Sequence, residues 1–209
     1  PGAYEAAQIG MVPALLVFPS ALPRVLHQGT RLVTETGQPW TWKMMSGFCD
    51  YQLWFTDQNR LHAVWQQAKD LGANGRRVFG HMRYITDFGV QTVGETAWLT
   101  HLAPFCEAAA EYNLYVDVVT LCDMQAIVLP LVQQQALWLE SARIVTSATN
   151  GFVTLGNENS KNGIDPTTFA YPGVPCSQGS EVSDTAPPMP GWGRREWHGR
   201  RDGPIKVYL

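Results

Sequence analysis

Long hydrophobic runs are missing from this 209-residue chain. The apolar stretch Met11 to Phe18 is too short to span a bilayer, and no charged leader or small-residue cleavage site frames it as a signal peptide. No membrane partner is expected. Lysine and arginine never run beyond adjacent pairs, and 15 of them face 18 Asp and Glu, for a net charge of -3. The clustered cations that phosphate neutralisation requires are therefore absent, and nucleic acid is not an expected partner. The four cysteines, Cys49, Cys106, Cys122 and Cys176, form no C-x-x-C pair, which excludes a zinc knuckle or redox dithiol; free thiols are the simplest reading and disulfides stay open. Five histidines show no H-E-x-x-H spacing, so no metal is expected. No G-x-G-x-x-G and no G-x-x-x-x-G-K-[ST] occurs, which removes the usual nucleotide-phosphate cradles, and no cofactor is expected.

What is present is an ordinary globular composition, 45% apolar and 16% charged, enough for one sizeable core. The chain opens on Pro1 in place of methionine, which leads to the expectation of a processed or partial sequence. Residues 1–23 are read as an N-terminal extension and residues 24–209 as the structured domain. Between Arg24 and Met45, short β-prone runs surround Gln28-Gly29 and Thr36-Gly37, which predicts a hairpin followed by a strand. Asp57 stands where a helix cap belongs, Leu61, Val64, Trp65, Ala68 and Leu71 follow at helical spacing, and Gly72 supplies the stop.

A second strand is predicted at Arg77 to Phe79, and a helix from about Glu95 to Tyr112 with Trp98, Leu102, Phe105 and Ala109 on one face. Leu114 to Leu121 is β-branched, aromatic and aliphatic almost throughout, as suits a parallel strand covered on both sides. A helix from about Leu129 to Ser147 and a strand at Phe152 to Leu155 complete the pattern, and Trp65, Trp98 and Trp138 fall on the buried helix stripes. Gly173 to Gly193, rich in Pro, Gly and Ser, reads as a long loop, with Trp197-His198 or Ile205 to Leu209 as candidates for a fifth strand.

Alternating strands and helices imply parallel strands with right-handed crossovers, which leaves doubly wound sheets and (β/α)8 barrels. The missing phosphate motifs favour the barrel. In such a barrel, polar residues just past the strand ends line the active-site mouth. Four such places can be read: Trp54 near the first strand, His81 after the second, Asp123 after the third, and Asn157 with Glu158 after the fourth. Taken singly, such residues more often cap or brace a loop than catalyse; their joint placement is the stronger signal. Trp192, Trp197 and His198 close the long loop, where indoles could stack on the apolar faces of sugar rings or simply fill space.

At this point the chain resembles the retaining glycoside hydrolases of clan A, which include cellulases and β-mannanases. Gly72-Ala73-Asn74-Gly75-Arg76-Arg77-Val78 is similar to a helix-end G-x-N followed by an arginine-bearing second strand; Thr36-Gly37-Gln38-Pro39-Trp40 is similar to the hairpin and first strand that precede such barrels; and Asn157-Glu158 resembles the Asn-Glu pair ending strand four. The resemblance spans about residues 24 to 163. It implies an α/β fold that is a partial (β/α)8 TIM barrel with an N-terminal β-hairpin, and hydrolysis of β-linked polysaccharide or oligosaccharide by two carboxylates. Glu158 would protonate the glycosidic oxygen, Asn157 would bind the 2-hydroxyl, and Arg77 would orient the second carboxylate, with a buried structural ion pair as the alternative for Arg77. Trp54, His81, Asp123, Trp197 and His198 would contact carbohydrate. The resemblance also implies an extracellular or periplasmic setting.

Two departures stand out: Asn159 replaces the proline usual after Asn-Glu, and Arg76 stands where an apolar strand residue is usual. The nucleophile, which the family carries on strand seven, is expected to lie beyond Leu209, leaving the barrel truncated after about strand five and this piece inactive alone. Rival readings are a non-catalytic carbohydrate-binding barrel and an unrelated parallel α/β protein. A half barrel would also leave strand edges open to self-association.

Overall fold

A computed structural model of the chain describes residues 22–28, 31–80, 95–122, 129–159, 162–172, 176–180 and 194–196. Strands β1 (Val25–Gln28), β2 (Arg31–Thr34) and β3 (Pro39–Trp40) form a small antiparallel sheet. There follow β4 (Met44–Gly47), α1 (Asp50–Thr56), α2 (Gln58–Asp70), β5 (Gly75–Phe79), α3 (Glu95–Glu111), β6 (Tyr115–Leu121), α4 (Leu131–Val145), β7 (Gly151–Gly156), β8 (Cys176–Ser180) and β9 (Arg194–Glu196). These later strands make one six-stranded sheet in the order β4-β5-β6-β7-β8-β9, every pair parallel. Spatial order equals chain order. A doubly wound sheet reverses direction at a switch point, whereas a barrel adds each strand beside the last, so the sheet is an open segment of a (β/α) barrel.

Three elements differ from the sequence reading. The expected loop from Gly173 to Gly193 contains β8, whose Cys-Ser-Gln-Gly-Ser has almost no intrinsic β preference and is a strand because β7 offers it a ladder. Strand β9 was not among the expected elements; Trp197-His198 and Ile205 to Leu209, the candidates for a fifth strand, lie outside the described residues, as does most of the 1–23 extension. Helix α1, ahead of Asp57, was not anticipated. Asp57 itself caps α2 as read, accepting the Arg60 backbone N–H at 3.0 Å, and Gly72 takes φ +81 at the far end.

The helix-facing side of β5, β6 and β7 (Val78, Val116, Val118, Val153, Leu155) packs on Leu61, Trp65, Leu102, Phe105 and Trp138 in one continuous core. Each such side chain, fully buried, stabilises by about 2 kcal/mol. The three buried helix tryptophans each satisfy their indole N–H: Trp65 on Asp50 at 3.0 Å, Trp98 on Ser141 at 3.1 Å and Trp138 on the Ala170 carbonyl at 3.0 Å. All five residues of β5 are buried, Arg76 and Arg77 included. Successive side chains of a strand point to opposite faces, so the two arginines serve different layers. Arg76 turns to the helices and forms a bidentate pair with Asp50 of α1, at 2.7 and 2.8 Å. Gly47 makes room for it, since a Cβ there would sit 2.3 Å from the Asp50 carboxylate.

The small N-terminal sheet seals the strand starts. Trp40 and Trp42 pack against Tyr115 and Phe152, the Tyr115 hydroxyl donates to the Pro23 carbonyl at 2.7 Å, and Trp42 lies where a Cβ at Gly75 would be. Asn74, from the G-x-N run, accepts the Lys43 N–H at 2.8 Å and donates to the Thr41 carbonyl at 2.7 Å, tying the entry of β4 to that of β5. Among the described residues, no helix is long and apolar enough to cross a membrane.

Candidate active site

Sealing one end leaves the C-terminal strand ends as the place to look for a site. On the sheet face opposite the helices, Arg77 of β5 is in register with Asp117 of β6 and Phe152 of β7, and Phe79 with Val119 and Thr154 one step higher. Burying Asp117 in a strand demands hydrogen bonds, and Thr154 donates one to its carboxylate at 2.7 Å. The Arg77 guanidinium lies over the Phe79 ring, 4.9 Å from its centroid, a cation–π contact that fixes the plane of its fork.

Above this row β7 ends at Gly156 and the chain presents Asn157 and Glu158, both half-buried. The Asn157 N–H still belongs to the sheet, donating to the Leu121 carbonyl of β6 at 3.1 Å. Its side-chain Oδ1 accepts from Nη1 of Arg77 at 3.2 Å. Glu158 then takes φ +44, left-handed backbone that a non-glycine residue adopts only where its surroundings impose it. Asn159 follows, fully buried, its side-chain oxygen 2.3 Å from where a Cβ on Gly156 would stand.

The structure thus brings together three of the residues singled out in the sequence, Arg77, Asn157 and Glu158. It places Trp54 elsewhere. The expected rim position is corrected to the helix layer: Trp54 lies within α1, its indole N–H donates to His101 Nδ1 of α3 at 3.3 Å, and its ring packs edge-on against Phe105. A residue of a helix packed on its neighbour turns its ring to that neighbour rather than to the strand ends. His81, Asp123, Trp197 and His198 lie outside the described residues, as does Trp192.

Two polar partners escaped the sequence reading, one behind the site in the helix layer and one at the strand end. One is Asp50, whose signal was the Arg76-Arg77 pair: two charges side by side in a buried strand require an acid on each face or a rim to reach. The other is Asn162, which donates from its side chain to the Asn157 carbonyl at 2.6 Å and from its backbone to the Glu158 carbonyl at 3.0 Å. Its signal was the Asn162-Gly163 turn dipeptide, Gly163 taking φ +70. The four cysteines are free; Cys106, Cys122 and Cys176 are buried, and burial pushes the Cys106 and Cys176 thiols up to about 12. No group of three or more potential metal ligands occurs among the described residues.

No protein-family model and no curated protein matches the chain. Solved structures do. A β-mannanase from Streptomyces thermolilacinus with mannohexaose is 18% identical, with a TM-score of 0.48 over 82% of this chain and 55% of that one. The catalytic domain of a mannanase from Streptomyces sp. SirexAA-E is 16% identical, with a TM-score of 0.46 over 76% of this chain and 46% of that one. A glycoside hydrolase family 5 protein from Bacteroides vulgatus is 16% identical, with a TM-score of 0.48 over 69% of this chain and 35% of that one. The chain spans about half the length of the two mannanases.

Proposed function

We propose that Glu158 is the proton-donating carboxyl of a retaining glycoside hydrolase site that cleaves β-linked oligosaccharide or polysaccharide. The observation that carries this reading is the joint placement of Asn157 and Glu158 directly past the C-terminal end of β7, with Arg77 reaching Asn157 from β5. In a parallel (β/α) sheet that rim is where catalytic groups gather. The left-handed backbone of Glu158 supports it further, because strain of this kind collects at functional positions.

In this reading Glu158 gives its proton to the glycosidic oxygen as the bond from that oxygen to the anomeric carbon breaks and a second carboxylate bonds to that carbon. In the second half, Glu158 takes a proton from the water that releases the sugar. Asn157 binds the 2-hydroxyl, a contact that tightens as the ring becomes oxocarbenium-like. Arg77 positions the second carboxylate, which must stand about 5 Å from the first; none of the described residues is assigned to that role, and it is proposed to lie beyond Leu209. His81, Asp123, Trp197 and His198 remain proposed sugar contacts.

The test is hydrolysis of mannohexaose and of chromogenic β-glycosides by the full-length protein and its Glu158→Gln variant. A rate lower by about 100- to 10,000-fold in the variant is expected. Equal rates would remove Glu158 from the chemistry, and sugar binding without turnover in either protein would favour the carbohydrate-binding barrel.

A further inference from the structure

We infer that Asn162 is the positioning residue of this site, setting the backbone geometry from which Glu158 is presented. The geometry stands on its own; its catalytic consequence rests on the proposed reading of Glu158 as proton donor. A residue's φ and ψ are the rotations between the two rigid peptide planes on either side of it. The plane before Glu158 carries the Asn157 carbonyl, and the plane after it carries the Glu158 carbonyl. Asn162 holds both. Its side-chain amide donates to the first at 2.6 Å, and its backbone N–H donates to the second at 3.0 Å and to the Asn159 carbonyl at 3.2 Å.

The other side of the same segment is anchored independently, by the Asn157 N–H on Leu121 and by the Ile164 N–H on the Asn159 carbonyl at 2.8 Å. With both planes pinned, Glu158 is left at φ +44, which its own side chain would not choose. The residue type follows from the task. A short side chain must donate to a carbonyl oxygen, which a carboxamide does and an ionised carboxylate of nearly the same shape cannot. Asn162→Ala therefore releases the first plane and keeps the second, while Asn162→Asp sets oxygen against oxygen there.

The experiment is isotope-edited NMR on the 209-residue chain, reading the Glu158 φ from backbone couplings and shifts in the unaltered protein, Asn162→Ala and Asn162→Asp. The Glu158 φ is expected to leave the positive range in both variants while the amide shifts of β5, β6 and β7 stay in place. A space-filling role would leave the near-isosteric Asn162→Asp unchanged, and that result overturns the inference. If neither variant folds, the coupling across the hydrogen bond between the Asn162 side-chain nitrogen and the Asn157 carbonyl carbon decides it in the unaltered chain, and its absence overturns the inference. In the full-length protein, both variants are expected to lower kcat on mannohexaose on the order of 100-fold with KM little changed, as misplacing a catalytic group does. If Glu158→Gln hydrolyses normally the proton-donor reading fails, and the φ and coupling measurements still decide the role of Asn162.

Discussion

The guanidinium of Arg77 and the carboxamide of Asn157 meet across an intervening strand, Nη1 standing 3.2 Å from Oδ1. Arginine can only donate, so this contact decides which end of the amide faces it: the oxygen turns to Arg77 and the nitrogen turns away as a donor. Arg77 thus sets the polarity of the residue beside Glu158.

That polarity yields a prediction for Asn157→Asp. The substituted carboxylate keeps the contact with Arg77 and turns a hydrogen bond already assisted by the guanidinium charge into an ion pair, so the melting temperature is expected to hold or rise. The donor is lost. If Asn157 holds the sugar as proposed, hydrolysis of a β-linked oligosaccharide is expected to fall by about 100-fold or more, in the range seen when one donor to a developing transition state is removed. An unchanged rate would show that the amide nitrogen contacts no substrate.

The Asp50–Arg76 pair makes a separate prediction about stability. Asp50 accepts two bonds from Arg76 and one from the Trp65 indole, with both partners buried. Removing one partner leaves a buried charge unmatched, so Asp50→Ala is expected to cost about 3 to 5 kcal/mol in urea unfolding. Replacing both partners together, as Asp50→Leu with Arg76→Met, is expected to recover most of that loss. Additive losses in the two single variants and the double variant would mean that the charges do not act as a pair.

The same pair shows where sequence reading succeeds and where it stops. Helix α2, strand β6 and the run into Asn157-Glu158 were legible because their signals are local: a capping Asp57, a period of apolar residues, a β-branched run ending in polar residues. Strand β8 was hidden because Cys-Ser-Gln-Gly-Ser gains its conformation from β7 and not from its own preferences. Trp54 was misplaced for a related reason: the sequence shows an indole soon after a strand but not the intervening helix α1, which carries it to α3. The Asn162-Gly163 dipeptide marks a turn, but the partners of Asn162 could not be read from it because its contacts are to carbonyls, which every residue has.

The buried thiols predict an alkaline limit. Burial raises Cys106 and Cys176 from 9.0 to about 12, with the Glu107 charge adding to the effect at Cys106, and burial raises Tyr51 well above 10.0. These groups are raised in the fold, so their contribution to stability is fully present below their unfolded values. It is lost as pH rises from about 9 toward 12, because the unfolded chain releases protons that the folded chain retains. Unfolding followed by circular dichroism between pH 9 and 11 is expected to show falling stability, with a shallower slope in Cys106→Ala. Equal slopes would mean that this thiol ionises in the fold as it does in the open chain.

Gly156 offers the sharpest comparison, because two glycines of this chain are needed for opposite reasons. A Cβ on Gly72 would meet nothing within 4 Å, and only its φ of +81 resists substitution, so Gly72→Ala is expected to cost about 1 kcal/mol. A Cβ on Gly156 would stand 2.3 Å from the Asn159 side-chain oxygen, 2.6 Å from Ile164 Cδ1 and 3.2 Å from the Leu121 carbonyl. Asn159 and Ile164 are both buried, so neither can swing into solvent to relieve the contact. Gly156→Ala must therefore push the segment from Asn157 to Ile164 off the end of β7, at a cost of about 1 to 3 kcal/mol. The amide shifts of Asn157 and Glu158 are expected to move while those of α2 stay fixed, and Gly72→Ala is expected to do the reverse. A Gly156→Ala protein with native shifts at Glu158 would show that the strand end tolerates a methyl group and that the loop is not held as tightly as these contacts require.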